Sequence, residues 1–182
     1  GAELAEKGML AVGCALLAIM LYIWFRFEWQ FSIAAILALS HDVISTIGLF
    51  SLTSFEFNLA TVAAILTIAG YSINDTVVVF DRVRENLRRY KSYEQRDILN
   101  KSLNETLSRT VMTSVTTLLA LLAIVIFGGA VLRDFALAMM WGVIIGTYSS
   151  VFVAVGMLAK FDLKRTEEDE EDGAAGDQGS TS

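Results

Sequence analysis

The residue with the clearest chemical potential lies in an apolar segment long enough to cross a bilayer. Asp75 places a carboxylate inside residues 70–82, which read GYSINDTVVVFDR. An acid at the bilayer centre costs about 3 kcal/mol on insertion scales, so it indicates a proton or ion pathway unless it is buried only for packing. Asn74 and Ser72 lie beside it on a predicted helix. Gly70 would let another helix approach closely.

A candidate partner for Asp75 begins the next apolar run. Arg109, Thr113 and Thr116 have the spacing i, i+4 and i+7, which predicts one shared helix face. A guanidinium favours the ionised form of a nearby acid, whereas hydrocarbon favours the neutral form. Because these effects oppose each other, water access and the distance to Arg109 could switch the protonation of Asp75, as a proton relay requires. The alternative is that Arg109 is an ordinary snorkelling residue of a cytoplasmic loop.

His41 and Asp42 form a further polar pair near the middle of another apolar run. Neighbouring residues of a helix point to different faces, so we do not expect this pair to make a relay by itself. One of the two could face Asp75, while the other could satisfy a backbone or serine group. For His41, the only histidine of the chain, both a proton-carrying role and a structural hydrogen bond fit the sequence.

These residues must be positioned by membrane helices. The chain of 182 residues is 54% hydrophobic, with a mean hydropathy of +0.55. Spans of about 20 residues cross a bilayer as helices, and the ten-residue alternating segments of a membrane barrel are absent from the sequence. We therefore predict an all-α membrane protein, a five-helix bundle forming a transmembrane domain over residues 1–159. The predicted spans are residues 8–25, 31–52, 59–80, 111–127 and 135–158. Gly142, Gly146 and Ser150 recur at four-residue spacing, which is typical of a helix-packing face.

The distribution of basic residues predicts which ends of the spans face the cytoplasm. Residues 81–110 carry eight of the fourteen basic residues, which favours a cytoplasmic connection. Alternation then places the N-terminus outside and the C-terminus inside. Leu99, Leu103 and Leu107 recur every four residues, which indicates an amphipathic helix, either at the membrane surface or packed on the loop itself.

The composition also excludes several functions. Residues 160–182 hold eight of the twenty acidic residues and predict a disordered acidic tail, so the net charge of −6 says little about partners. The chain has one cysteine, Cys14, and shows no spacing typical of metal ligands. We found neither a phosphate-binding loop nor a nucleophile next to a base. We therefore expect no enzyme, no cofactor other than protons, no metal and no nucleic-acid partner.

Six stretches of the chain together resemble the bacterial SecF family of protein-export membrane proteins. The most specific is INDTVVVFDR, within residues 70–86; YIWFRFEW, within residues 19–29, and NETLSRT at 104–110 are further matches. The others are residues 41–43, 57–66 and 135–139. The resemblance reaches along nearly the whole chain except the acidic tail. It implies membership of the superfamily of resistance-nodulation-division transporters.

The resemblance implies a function as well. Members of this family act with SecD in the bacterial inner membrane, use the proton motive force and help to move preproteins through the SecYEG channel. In the family, the acid of the Asn-Asp-Thr motif and the arginine of the Ser-Arg-Thr motif are tied to proton passage, which implies these roles for Asp75 and Arg109. The resemblance further implies lipid contacts, one more span and a periplasmic domain upstream of Gly1. Two alternatives remain: half of a small-molecule or lipid exporter of the same superfamily, and a purely structural subunit.

Overall fold

The computed structural model describes residues 2–53, 58–161 and 163, and its regular elements are all helical. Their bounds are α1 Ala2–Arg26, α2 Trp29–Thr53, α3 Leu59–Arg89, α4 Gln95–Phe127 and α5 Gly129–Tyr148, followed by a π-helical turn Ser149–Ala154 and α6 Val155–Leu158. Five helical segments in this part of the chain are long and apolar enough to cross a membrane, the last running from α5 through α6. The predicted all-α, five-span architecture is therefore confirmed. The orientation of the termini stays a prediction.

The segment 81–110 is helical almost throughout, because α3 continues to Arg89 and α4 begins at Gln95. The first turns of α4 pack against the last turns of α3 and form a helical hairpin. This agrees with the second of the two alternatives for the leucine stripe, since Leu99 is buried in the core and Leu103 packs against the same cluster. The polar residues that match across the two helices are a feature that leucine periodicity does not detect.

Asn86 and Arg82 hold the hairpin together. Asn86, only 1% exposed, donates from Nδ2 to Ser102 Oγ at 2.9 Å and to Glu105 Oε2 at 2.8 Å. Arg82 Nε donates to the same Glu105 oxygen at 2.6 Å. These bonds continue two membrane helices beyond the apolar spans as one rigid unit. We refer to this side of the bundle as the hairpin end.

Aromatic rings form the core near the hairpin end. Phe80 of α3 packs edge-on against Phe31 of α2, with ring centroids 5.2 Å apart, and against Phe27 at 6.1 Å. All three rings are buried. The α1–α2 turn and the middle of α3 are thereby fixed at one level of the bundle.

Small residues decide where α5 approaches α3. A side chain at Gly142 would overlap Ile68, and a Cβ at Gly146 would lie 3.2 Å from the Cβ of Ser72. Gly70 behaves differently, since a Cβ there would meet nothing within 4 Å. It lies on the outer side of α3, away from the buried positions 68 and 72, so the expectation that Gly70 admits another helix does not hold within the described chain.

The predicted acidic tail lies almost entirely on residues that the structure does not describe, and so do residues 54–57 ahead of Asn58. Asn58 itself begins α3 with a capping box: its side chain accepts from the Thr61 backbone N–H at 3.1 Å, and the Thr61 hydroxyl accepts from the Asn58 backbone at 3.2 Å.

We expect Gly142→Ala to destabilise the bundle, because the added methyl group has to displace Ile68 from a tightly packed interface. Overpacking of this kind costs about 1–3 kcal/mol. The thermal unfolding midpoint of the full-length protein in detergent measures the effect. Gly70→Ala is the matched control and should leave the midpoint unchanged or raise it. Equal midpoints for the two variants would contradict the close approach at Gly142.

Candidate functional site: two buried carboxylates

Asp75 lies near the middle of α3 on its buried side. The residue is 4% exposed, and the buried positions 68, 72, 75, 79 and 83 follow the spacing of one helix face. Its Oδ2 atom is buried and makes no hydrogen bond within the described chain. A buried acceptor without a partner is costly, so this carboxyl is energetically poised to take a proton or to attract a cation.

Arg109 is the charged group that acts on Asp75. It attracts the carboxylate electrostatically from α4, but no ion pair of 4.0 Å or less joins the two within the part of the chain described here. The arginine is exposed on the surface of the bundle. Asp75 and Arg109 therefore interact electrostatically without forming a direct ion pair.

Thr113 and Thr116 do not reach across to another helix. Thr113 Oγ1 donates to the carbonyl of Arg109 at 3.0 Å, and Thr116 Oγ1 donates to that of Met112 at 2.9 Å. Their hydroxyls are thus satisfied within α4. Asn74, predicted as a supporting residue, is exposed on α3 next to Asp75.

A different row of α4 faces the core. It consists of small hydroxyl residues at four-residue spacing, all of them buried: Ser102, Thr106, Thr110 and Ser114. Ser114 Oγ and Thr147 Oγ1 of α5 share a hydrogen bond of 2.6 Å. Our sequence analysis chose the neighbouring face because it contains the arginine. The four-residue period of Ser and Thr was the signal that would have identified the packed face.

The second buried carboxylate, Asp42, sits near the middle of α2 and is fully buried. Its Oδ2 atom accepts two hydrogen bonds, from Ser72 Oγ of α3 at 2.5 Å and from Ser149 Oγ at 2.7 Å. Its Oδ1 atom lies 3.1 Å from His41 Nδ1. We call these four residues the Asp42 cluster. Ser72 therefore donates a hydrogen bond to Asp42, although the sequence pattern predicted that it supports Asp75.

His41 and Asp42 differ in burial, as their places on the helix suggest. The imidazole is 42% exposed, while the carboxylate side chain is 0% exposed. The two nevertheless contact each other, because the imidazole Nδ1 turns back toward its neighbour. The difference in burial agrees with the expectation that the two point to different faces, and Asp42 is the member that contacts serine groups.

The π-helical turn supplies the third helix of the cluster. Ser149 and Ser150 are consecutive, yet both are fully buried. The widened turn has room for both residues on its inner side, and such turns recur at functional sites of membrane and soluble helices. Ser150 Oγ lies 2.9 Å from Thr76 Oγ1 of α3, so hydroxyl contacts continue from Asp42 to the turn of α3 that carries Asp75.

The polar side chains of the two sites are of types that exchange protons. Within the described residues, no group of three or more His, Cys, Asp or Glu side chains is placed to hold a metal ion. The polar atoms are instead hydroxyls, carboxyls and one imidazole, which donate, accept and exchange protons.

We expect Ser149→Ala to destabilise the bundle by about 1–2 kcal/mol, since Asp42 then loses one of its two hydroxyl donors. Ser51→Ala, an exposed serine of α2, is the matched control and should be neutral. Thermal unfolding midpoints of the full-length protein in detergent compare the two. No difference between them would show that the bond to Asp42 contributes nothing to stability.

The fold and its polar centre define a multi-pass membrane protein with buried ionisable groups in a helical bundle. Comparisons with known proteins identify the family within this class of membrane proteins. The family model described as protein export membrane protein SecD/SecF, C-terminal, matches residues 1–164. The chain is a member of this family, in its C-terminal membrane part.

Relatives agree with this assignment. The chain is 57% identical over 166 residues to the protein translocase subunit SecF of Rhodobacter capsulatus, covering 91% of this chain and 50% of that protein. It is 52% identical to SecF of Rickettsia rickettsii over 161 residues, covering 88% of this chain and 52% of that protein. The chain thus spans about half the length of the curated relatives it matches.

Solved structures agree as well. A crystal structure of SecDF from Thermus thermophilus, described as a translocon-associated membrane protein, matches with a TM-score of 0.82 and 49% identity, over 86% of this chain and 22% of that one. A crystal structure of SecDF in a super-membrane-facing form matches with a TM-score of 0.81 and 45% identity, over 98% of this chain and 23% of that one.

Proposed function

We propose that this chain is the membrane domain of a SecF subunit that acts with SecD to assist preprotein translocation through SecYEG in the bacterial inner membrane. In this proposal the proton motive force drives the movement. Asp75 is the group that takes up and releases the proton, and Arg109 biases its charge. The single observation that carries the proposal is the buried Asp75 Oδ2, which has no hydrogen-bond partner within the described chain.

The surroundings of Asp75 support a change of protonation. A structural acid would be expected to have its oxygens satisfied by neighbouring donors, as those of Asp42 are. Asp75 lacks such partners within the described residues, so hydrocarbon favours its neutral form. Arg109 favours its ionised form. A modest change in the position of α4 or in the access of water therefore changes which form of Asp75, neutral or ionised, is favoured. Proton binding is coupled to the arrangement of the helices in this way.

The exposure of Arg109 supports a role at a subunit boundary. Next to it, α4 presents a row of exposed apolar side chains, and Val111, Met112, Val115 and Leu119 belong to that row. An arginine on such a surface is poorly placed in lipid but well placed against a second membrane subunit. The SecDF structures with which this chain aligns favour SecD as that subunit.

We expect Asp75→Asn to abolish the proton-driven part of preprotein translocation, because an amide cannot exchange the proton that a carboxyl exchanges. Assembly with SecD should persist, since the two side chains have nearly the same shape. The measurement is the translocation rate in vesicles holding the full-length complex with SecYEG, with and without an imposed proton gradient.

Asp81→Asn provides the matched control for this experiment. Asp81 is also on α3 but is half-exposed and paired with Arg26 at 3.2 Å. This variant should respond to the gradient as the wild type does. A full response of Asp75→Asn would refute the proposal and leave a purely structural role for the acid. A gradient response that persists without SecYEG, with a small molecule or lipid transported, would instead indicate an exporter.

We expect Arg109→Gln to reduce the gradient response strongly and Arg109→Lys to retain part of it, because lysine keeps the positive charge but not the geometry of the guanidinium. Arg96→Gln, an exposed arginine of the same helix outside the apolar span, is the control. The same vesicle assay measures all three. Equal rates for Arg109→Gln and Arg96→Gln would remove Arg109 from the mechanism.

A further inference from the structure

We propose that His41 and Asp42 form a second proton-binding site, separate from Asp75, in which one proton is shared between His41 Nδ1 and Asp42 Oδ1. The proposal that proton binding there is coupled to transport rests on the proposed function. The existence of the site is independent of the proposed function, because it is argued from the geometry of the Asp42 cluster.

One contact of the cluster joins two atoms that can each hold a proton. The two serine hydroxyls can donate to Asp42 Oδ2, although Ser149 Oγ also lies 3.1 Å from the carbonyl oxygen of Gly146. The remaining contact, 3.1 Å between Oδ1 and Nδ1, needs one hydrogen between two atoms that can each hold it. Before the pair binds an extra proton, this hydrogen belongs to a neutral imidazole that donates from Nδ1 to the Asp42 carboxylate. Once Nε2 is protonated as well, the hydrogen can be held by Nδ1 or by Oδ1.

The pair also has access to the surface of the subunit. Asp42 is sealed inside the bundle, but the imidazole is 42% exposed and lies beside the ring of Tyr148, with centroids 6.4 Å apart. A proton that binds His41 Nε2 makes an imidazolium. Transfer of the Nδ1 proton to Oδ1 then leaves a neutral imidazole and a neutral acid. The pair gains one proton, no bond between heavy atoms changes, and both serines remain donors to Oδ2.

Few titratable groups face the Asp42 cluster. From α3 the cluster is faced by Ser72, with Asp75 one turn further along; from α5 and the π-helical turn it is faced by Tyr148 and Ser149. Within the described residues, neither member of the pair makes an ion pair with a lysine or an arginine. The charge of the cluster is therefore set by its own proton and not by a fixed counter-ion.

The cluster is connected to the turn of α3 that carries Asp75. The carbonyl of Ser72 accepts from Thr76 Oγ1 at 3.2 Å and from Ser150 Oγ at 3.4 Å. Thr76 is the next residue after Asp75. Neutralising Asp42 weakens its hold on Ser72, because hydrogen bonds to a charged acceptor are the stronger ones. Proton binding at the pair therefore loosens α3 at the level of the proposed proton carrier.

Asp42→Asn separates this proposal from a structural role. The amide oxygen can accept from both serines and the amide nitrogen can donate to His41 Nδ1, so all three contacts persist without an exchangeable proton. We expect the serine bonds to persist in weaker form, so that the unfolding midpoint falls by no more than in Ser149→Ala, together with unchanged assembly with SecD and an altered pH profile of gradient-driven translocation by the full-length complex. An unaltered pH profile would overturn the coupling.

Infrared difference spectra between acidic and alkaline pH test the site itself in the full-length complex in lipid. We expect a carbonyl band of a protonated carboxylic acid that disappears in Asp42→Asn, persists in Asp75→Asn and shifts in His41→Gln. A band that none of these variants changes, or no such band in the wild type, would overturn the second site. If Asp42→Asn does not assemble, the comparison of wild type, Asp75→Asn and His41→Gln still decides.

The two proposals fail in different ways. A complex that shows the Asp42 band but no gradient-driven translocation contradicts the proposed function and supports the second site. A complex whose translocation depends on Asp75, and whose spectrum shows no band sensitive to His41, retains the proposed function and loses the second site.

Discussion

The structure depends on one constraint: a polar group in the hydrocarbon must find its partner inside the protein. Asp42 meets this constraint with partners on two further helical elements, Ser72 of α3 and Ser149 of the π-helical turn. The contact fixes how three parts of the bundle sit against each other. Gly142 and Gly146 allow it, because only small residues let α5 come close enough to α3 for the hydroxyls to reach.

Asp75 is the exception to the same constraint, and the exception is informative. Its Oδ2 atom has no hydrogen-bond partner in the described chain, although Ser72, one turn away, donates to Asp42. The two mid-helix acids thus have different environments. Asp42 accepts hydrogen bonds from hydroxyl groups, whereas Asp75 interacts electrostatically with Arg109. This difference is why the proposed function assigns the change of protonation to Asp75 and not to Asp42.

The hairpin end shows how a membrane bundle is extended into water. There the partners are charged and partly exposed, as in the contacts among Arg82, Asn86 and Glu105. Exposed ion pairs contribute little singly, but the buried amide of Asn86 gives this contact a fixed geometry. These contacts join the ends of α3 and α4 to each other.

The sequence alone determined the elements, because hydropathy and span length are local properties, and the five apolar helices followed from them. The functional role of Asp75 stays a prediction. Family membership followed from motifs such as INDTVVVFDR. Tertiary structure decided the pairings. Ser72 donates to Asp42, and a Cβ at Gly70 would meet nothing within 4 Å in the described part of the chain. Thr113 and Thr116 bond within their own helix, while Ser114 faces the core. The four-residue period of Ser and Thr in α4 indicates the face that contains Ser114. The partner of Ser72 depends instead on helix rotation and on the π-helical turn at Ser149, which residue spacing does not specify.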